Sequence, residues 1–263
     1  MEKKRIQQSV ILIAAVIVII ILVIIIGKII NKYTPSKEVQ DLDEYYGITD
    51  DSSAAIVLNH EVISQKAVVK NGTLYLDYEM AKELFNDRFY WDANENLLLY
   101  TTASDVISAS VSGKDYFVTK EKHTEDYEIV YADADKAYIA MDYIKKFTDL
   151  DFRFYEGPNR MVVTTDWSDV TLVPVKKDTQ IRLKGGIKSP ILTEVKEEEN
   201  LFLLESGDSW DKVSTESGII GYIQNKRLGE EEKKRYKHSF EEEEFTHNLK
   251  EGKINMAWHQ VTT

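Results

Sequence analysis

The sequence predicts a mixed architecture, α+β and all-β, built from one transmembrane helix, a duplicated ββαββ-type unit and a small β-barrel. Three observations predict it. Residues 10–26 form an unbroken run of 17 apolar side chains. Two 32-residue windows, 71–102 and 134–165, align without gaps and share six identities. Residues 171–228 break into short strand-like runs at close spacing, with turn formers between them.

The apolar run comes first. Residues 10–30 cover roughly 31 Å at the helical rise, about the thickness of one hydrocarbon core. Lys28 near the far end can snorkel its ammonium to the interface. A cleaved signal peptide is the alternative, but the run exceeds the usual apolar core of such a peptide and no A-x-A-like site follows it. Lys3, Lys4 and Arg5 precede the run. By the positive-inside rule, residues 1–9 are then a cytoplasmic tail and everything after the anchor is extracellular. The expected localisation is the cell membrane, crossed once, with the lipid bilayer as partner of residues 10–30. Residues 31–52 hold Pro35, Gly47 and many carboxylates with little apolar periodicity, and read as a short stalk.

The duplicated unit occupies residues 53–168. Its identities are Tyr75/Tyr138, Lys82/Lys145, Phe89/Phe152, Asn96/Asn159, Thr101/Thr164 and Thr102/Thr165. In each copy a strand (73–76; 137–139) leads into a helix (78–85; 141–147), followed by two strands (88–92 and 96–101; 151–155 and 160–164). Upstream, each copy has an alternating strand pair, 55–63 with 66–69 and 105–111 with 114–119. Each unit of about 60 residues is near the lower limit for a self-sufficient core, so the copies are expected to pack together. Trp91 and the tyrosines alternate with polar residues and read as core.

The pattern NGTLYL, helix, FYWDANENLLLYTT resembles the repeat called the copper amine oxidase N-terminal domain. Asp77 stands where that repeat usually has proline. The resemblance implies a non-catalytic α+β module of bacterial surface proteins. A copper site needs clustered imidazoles, and this region has only His60 and His123, far apart in sequence. No metal or other cofactor is expected.

Residues 169–228 contain the runs LVPV, TQIRLKGGIKSPIL, ENLFLLES, WDKVST, GIIGYIQ and a closing KRL. Ile181-Arg182-Leu183, Ser189-Pro190-Ile191-Leu192, Trp210 with Lys212-Val213, and the run GIIGYI at 218–223 together resemble a bacterial SH3 domain. The resemblance implies a peptidoglycan-binding or spacer role beside wall hydrolases. A sugar–peptide ligand suits aromatic faces with a few donors, which makes Arg182, Trp210 and Tyr222 the candidate ligand-binding residues. Trp210 also reads as a partly buried barrel tryptophan, and Arg182 as a partner of local carboxylates.

Residues 229–252 carry dense charge runs and read as a solvated helix or linker. Residues 253–263, KINMAWHQVTT, resemble the first strand of the barrel in a group of family 18 glycoside hydrolases. In those proteins an anchor, the amine-oxidase-type repeat and an SH3 domain precede the barrel in the same order. The family's D-x-x-D-x-D-x-E motif is absent, and its closest string, Asp149-Leu150-Asp151-Phe152-Arg153, has arginine where the acid would be. A complete barrel needs about 250 residues. The expectation is therefore a barrel truncated after its first strand, with no catalytic residue in this chain. The competing expectation is a complete surface adaptor that binds peptidoglycan or a partner protein.

Composition narrows the function classes. Of 263 residues, 45 are acidic and 33 basic, for a net charge of −12. Residues 1–32 carry a net +4, so the rest carries −16, and nucleic acid is an improbable partner for so acidic a surface. There is no cysteine, which excludes disulfides, thiolate metal sites and a cysteine nucleophile. No nucleophile elbow, metal-binding helix or phosphate loop occurs.

Overall fold

The computed structural model describes residues 2–102 and 104–235, with side chains from Val16 onward. Residues 253–263, read above as the start of a further barrel, lie outside the described residues, as does most of the charged segment 229–252.

Helix α1 (Glu2–Tyr33) contains the apolar run and is continuous through it. Between Val16 and Ile30 its large apolar side chains range only from 46% exposed at Ile25 to 62% at Val23, so no face is covered by the rest of the chain. A helix apolar all round needs an apolar surrounding. By length and composition α1 can cross a membrane.

The segment after it is not a free stalk. Asp41 caps the short helix α2 (Leu42–Tyr46) by accepting from the Asp43 and Glu44 backbone N–H groups at 2.8 and 3.3 Å. Gly47, at φ +64°, ends it in the left-handed conformation that glycine adopts without strain. Tyr46 is 1% exposed. The apolar periodicity was too short for a helix to be read from it, yet cap and stop residues are both present.

Strands β1 (Ser53–Leu58), β2 (Glu61–Lys70) and β3 (Thr73–Asp77) follow, then helix α3 (Tyr78–Leu84). The strand expected over 55–63 breaks at Asn59 and His60, which both take positive φ in a tight hairpin turn. β2 then runs unbroken to Lys70. β4 (Phe89–Asp92), β5 (Leu97–Thr101), β6 (Val106–Ser110), β7 (Asp115–Val118) and β8 (Glu121–Thr124) form a five-stranded antiparallel meander. The chain returns through β9 (Val130–Asp133) and β10 (Lys136–Ala140) to helix α4 (Met141–Phe147), β11 (Asp151–Tyr155) and β12 (Arg160–Thr164). These join the first strands in a seven-stranded sheet of order β11-β12-β1-β2-β3-β10-β9, with β1 and β12 parallel. One core fills the space among this sheet, the meander and both helices, with Ile56, Leu76, Phe89, Tyr143 and Met161 each at most 1% exposed.

A second seven-stranded sheet contains β13 (Asp169–Pro174), β14 (Thr179–Arg182), β15 (Ile191–Val195), β16 (Asn200–Glu205), β17 (Trp210–Ser214), β18 (Ile220–Gln224) and β19 (Glu232–Arg235). Its order is β15-β14-β18-β17-β16-β13-β19. Leu192 and Val195 from one edge share a core with Val173, Val213 and Ile223, so the sheet curves around its own apolar face. The expected closing strand KRL is instead a single 3-10 turn, after which Leu228 bridges Val175. Part of the charged linker is the exposed edge strand β19, paired with β13.

A third, small core joins the two halves. Ala54 and Ile56 of β1 face the first core, whereas Ala55 and Val57 face Tyr46 and Ile220. β1 is thus buried on both faces, which explains its continuous apolar run Ala54–Val57.

Candidate functional site

Arg182, Trp210 and Tyr222 come together on the outward face of the second sheet. Tyr222 lies directly opposite Arg182 on one side and Lys212 on the other. Trp210 pairs with Gln224 two positions along. Side chains alternate across a strand, so Trp210, Lys212, Tyr222 and Gln224 share one face while Asp211, Val213 and Ile223 turn inward. Trp210 and Tyr222 are both half-buried. What covers them is the loop 183–190. A methyl group on Gly185 would stand 3.2 Å from Trp210 Cβ and 3.7 Å from Tyr222 Cδ1, so the loop backbone rests against both rings.

Arg182 has a different role from the expected one. It is 5% exposed, and its Nη1 donates to the Ser189 carbonyl at 2.6 Å and the Ser36 carbonyl at 3.1 Å. Its Nη2 donates to Gln180 Oε1 at 2.8 Å. Burial pulls its pKa down. The guanidinium is spent on holding its own loop and the segment after α1, not on a carboxylate and not on an outside ligand.

That loop is fastened to the end of α1. Lys188 Nζ donates to the Asn31 carbonyl and, at 2.7 Å, to the Thr34 carbonyl. A cation on the last carbonyls of a helix meets both their free lone pairs and the negative end of the dipole. From there residues 36–40 run along the edge of β15. Ser36 N–H donates to Ile187, Ile191 N–H to Glu38, and Gln40 N–H to Ile191, at 2.7 to 2.8 Å.

The joint between the halves is polar at its rim and apolar inside. Tyr46 Oη donates to the Gly218 carbonyl and Tyr45 Oη to the Ile220 carbonyl, both at 2.8 Å. Burial pushes both phenols up, with the Arg160 guanidinium opposing it at Tyr46. Arg160, 6% exposed, donates from Nε to Ser217 O at 2.6 Å and from Nη1 to Pro158 O at 2.9 Å, between the rings of Tyr46 and Tyr155. Asn59 completes the rim by accepting from the Thr165 and Asp166 N–H groups. His60 lies 4.4 Å from the Phe202 ring, and burial lowers its pKa. The exposed pair Arg153–Glu216 also crosses the joint, but at that exposure it contributes little.

Beside this joint a cavity of about 60 Å³ is lined by Asn59, His60, Thr164, Asp166 and Ser168. Ligand pockets begin near 300 Å³, so it is too small for a sugar or cofactor. His123 stacks on Tyr116 at 4.9 Å, remote in sequence from His60. Among the described residues no three His, Asp or Glu side chains converge to hold a metal ion.

Lys188, Tyr45, Tyr46 and Arg160 were not singled out from the sequence, and Gly218 only as the first residue of the run GIIGYI. The string DLDEYYG, with its capping Asp and terminal Gly, carried a readable signal for the α2 segment. The targets of Arg160 and Lys188 are backbone carbonyls, which no side-chain pattern announces.

No family model and no curated protein matches this chain. Among solved structures it is similar to NlpC1 from Trichomonas vaginalis, at 13% identity and a TM-score of 0.22. The similarity covers 54% of this chain and 41% of that one, so the chain spans less than half the length of the structure it matches.

Proposed function

We propose that this chain is the membrane-anchored, outward-facing spacer of a family 18 type glycoside hydrolase that acts on N-acetylglucosamine-containing glycans. Residues 10–30 are a permanent anchor, 53–168 a pair of amine-oxidase-type repeats, and 169–228 an SH3-like domain. Chemistry resides in the barrel whose first strand residues 253–263 resemble.

The observation that carries the spacer reading is the course of residues 31–50. From the end of α1 they run along β15 and insert Tyr45 and Tyr46 between the two sheets. A loose tether would need none of these contacts. A body that sets an enzyme at a fixed height and angle above a bilayer needs them all.

Single cysteines test this, because the chain has none of its own. Lys4→Cys, before the apolar run, and Lys120→Cys, in the exposed turn between β7 and β8, are labelled with an impermeant maleimide in bacterial cells. We expect Lys120→Cys to react in intact cells, Lys4→Cys only after lysis, and the protein to stay in the membrane through an alkaline carbonate wash. The reverse labelling, or mature protein beginning beyond residue 30, overturns the proposal.

A second reading, a wall-binding adaptor, draws support from Trp210 and Tyr222 lying on one outward face of the neighbouring strands β17 and β18. Purified peptidoglycan sacculi that retain the full chain but release the Trp210→Ala variant would favour it. A pure spacer treats the two alike.

A further inference from the structure

The loop 183–190 combines three properties. It is bonded to the last carbonyls of α1 through Lys188, and to the segment after α1 through Ile187 O and Arg182. Residues 182–190, RLKGGIKSP, contain Arg182, Lys184 and Lys188 and no carboxylate, within a chain whose net charge is −12. Lys184 and Lys188 are exposed, Ile187 is half-exposed, and Gly186 faces open space.

The end of α1 continues the pattern. Lys28 and Lys32 flank Ile29 and Ile30, and Tyr33 is 67% exposed with the Lys32 ammonium over its ring. Lysine and tyrosine beside an apolar run are the residues that settle at headgroup level. A loop hydrogen-bonded to Asn31 and Thr34 sits at that same level.

We infer that the loop 183–190 and the last turn of α1 form one surface that binds the phosphate headgroups of anionic lipids. This rests on α1 being a membrane anchor. The covalent segment, the Lys188 bonds and the lysine–phosphate contacts then act together, so the ectodomain leans on the leaflet rather than swinging above it. Each lysine near an anionic surface contributes about 1 kcal/mol, falling off within a Debye length. The acidic remainder of the chain repels the same surface, which confines contact to this patch.

The test uses the full chain reconstituted in vesicles of phosphatidylglycerol and phosphatidylcholine that carry a nitroxide on the headgroup. A bimane label is placed at Gly186→Cys or, as reference, at Asp87→Cys, an exposed position before β4. We expect strong quenching at position 186 and little at 87. With Lys184→Gln the ratio of quenched to unquenched label at 186 should fall about fivefold, and in phosphatidylcholine alone, where every lysine of the patch loses its anionic partner, it should fall further. Lys184 offers its backbone N–H, not its ammonium, to the loop, so this variant keeps the loop intact. Release of the protein by alkaline carbonate would count against α1 as an anchor. Protein that stays inserted but is quenched equally at 186 and 87 overturns the headgroup contact alone. Selective release by inorganic phosphate over chloride at matched ionic strength also overturns it, in favour of a site for free phosphate.

Discussion

Arg160 and Arg182 are buried cations that meet backbone carbonyls where a carboxylate would be the usual partner. Each joins segments distant in sequence: Arg160 links β12 to Ser217, and Arg182 links β14 to Ser36. A hydrogen bond to a charged donor is worth about 1.5–3 kcal/mol, and its loss leaves buried carbonyls unpaired. Arg160→Ala is therefore expected to lower unfolding free energy by about 3 kcal/mol in urea titrations. Arg160→Lys should recover only part of that, because an ammonium cannot reproduce the planar fork. His60 makes the joint sensitive to pH. Its folded pKa lies below the ordinary value of 6.5 because burial disfavours the charged ring. The unfolded chain thus binds the proton first as pH falls, and stability declines from about pH 6.5 downward until the folded ring titrates. Denaturation midpoints between pH 7 and 5 should show this slope, and His60→Asn, which tolerates the positive φ, should flatten it.

At the scale of elements, the joint depends on close approach between β1, β12 and the turn before β18. Gly218 has φ +81°, and a methyl group there would lie 2.8 Å from Val162 Cγ2 and 3.2 Å from Val57 Cγ2. Gly218→Ala combines backbone strain with overpacking and is expected to cost about 2–4 kcal/mol. Tyr46→Phe removes one hydrogen bond but keeps the ring, so about 1 kcal/mol is expected. Thermal unfolding of both variants would rank them. The elements most legible in the sequence were those whose signals are local. Helix 141–147 and strands 151–155 and 160–164 appear with the expected bounds, because apolar patterning and flanking turn residues agree. Partnering was not legible. The two aligned windows both run strand, helix, strand, strand, but β4 and β5 join the meander whereas β11 and β12 return beside β1. β8 and β9 were missed because charged or short strands lack alternation. At the candidate site, the aromatic character of Trp210 and Tyr222 was legible, but the face they share emerges only from the strand register. The role of Arg182 was not legible, since its partners are the Ser189 and Ser36 carbonyls and the Gln180 side chain, brought together by the fold.

For the whole molecule, three cores and the segment 36–50 tie the first sheet, the meander and the second sheet together, with the end of α1 bonded to the loop 183–190. Among the described residues, the long continuous run of exposed valine and isoleucine belongs to α1, while other exposed apolar side chains such as Val39, Tyr90 and Val106 stand apart from it. The spacer proposal turns on that rigidity more than on any single residue. Pulsed electron resonance on the full chain in vesicles, with nitroxides at Asp87→Cys and Asp208→Cys on the two halves, measures it directly. One narrow distance distribution, broadened when Gly218→Ala is added, is the expected result. A broad distribution in the unaltered chain would mean that the halves move independently, and would contradict it.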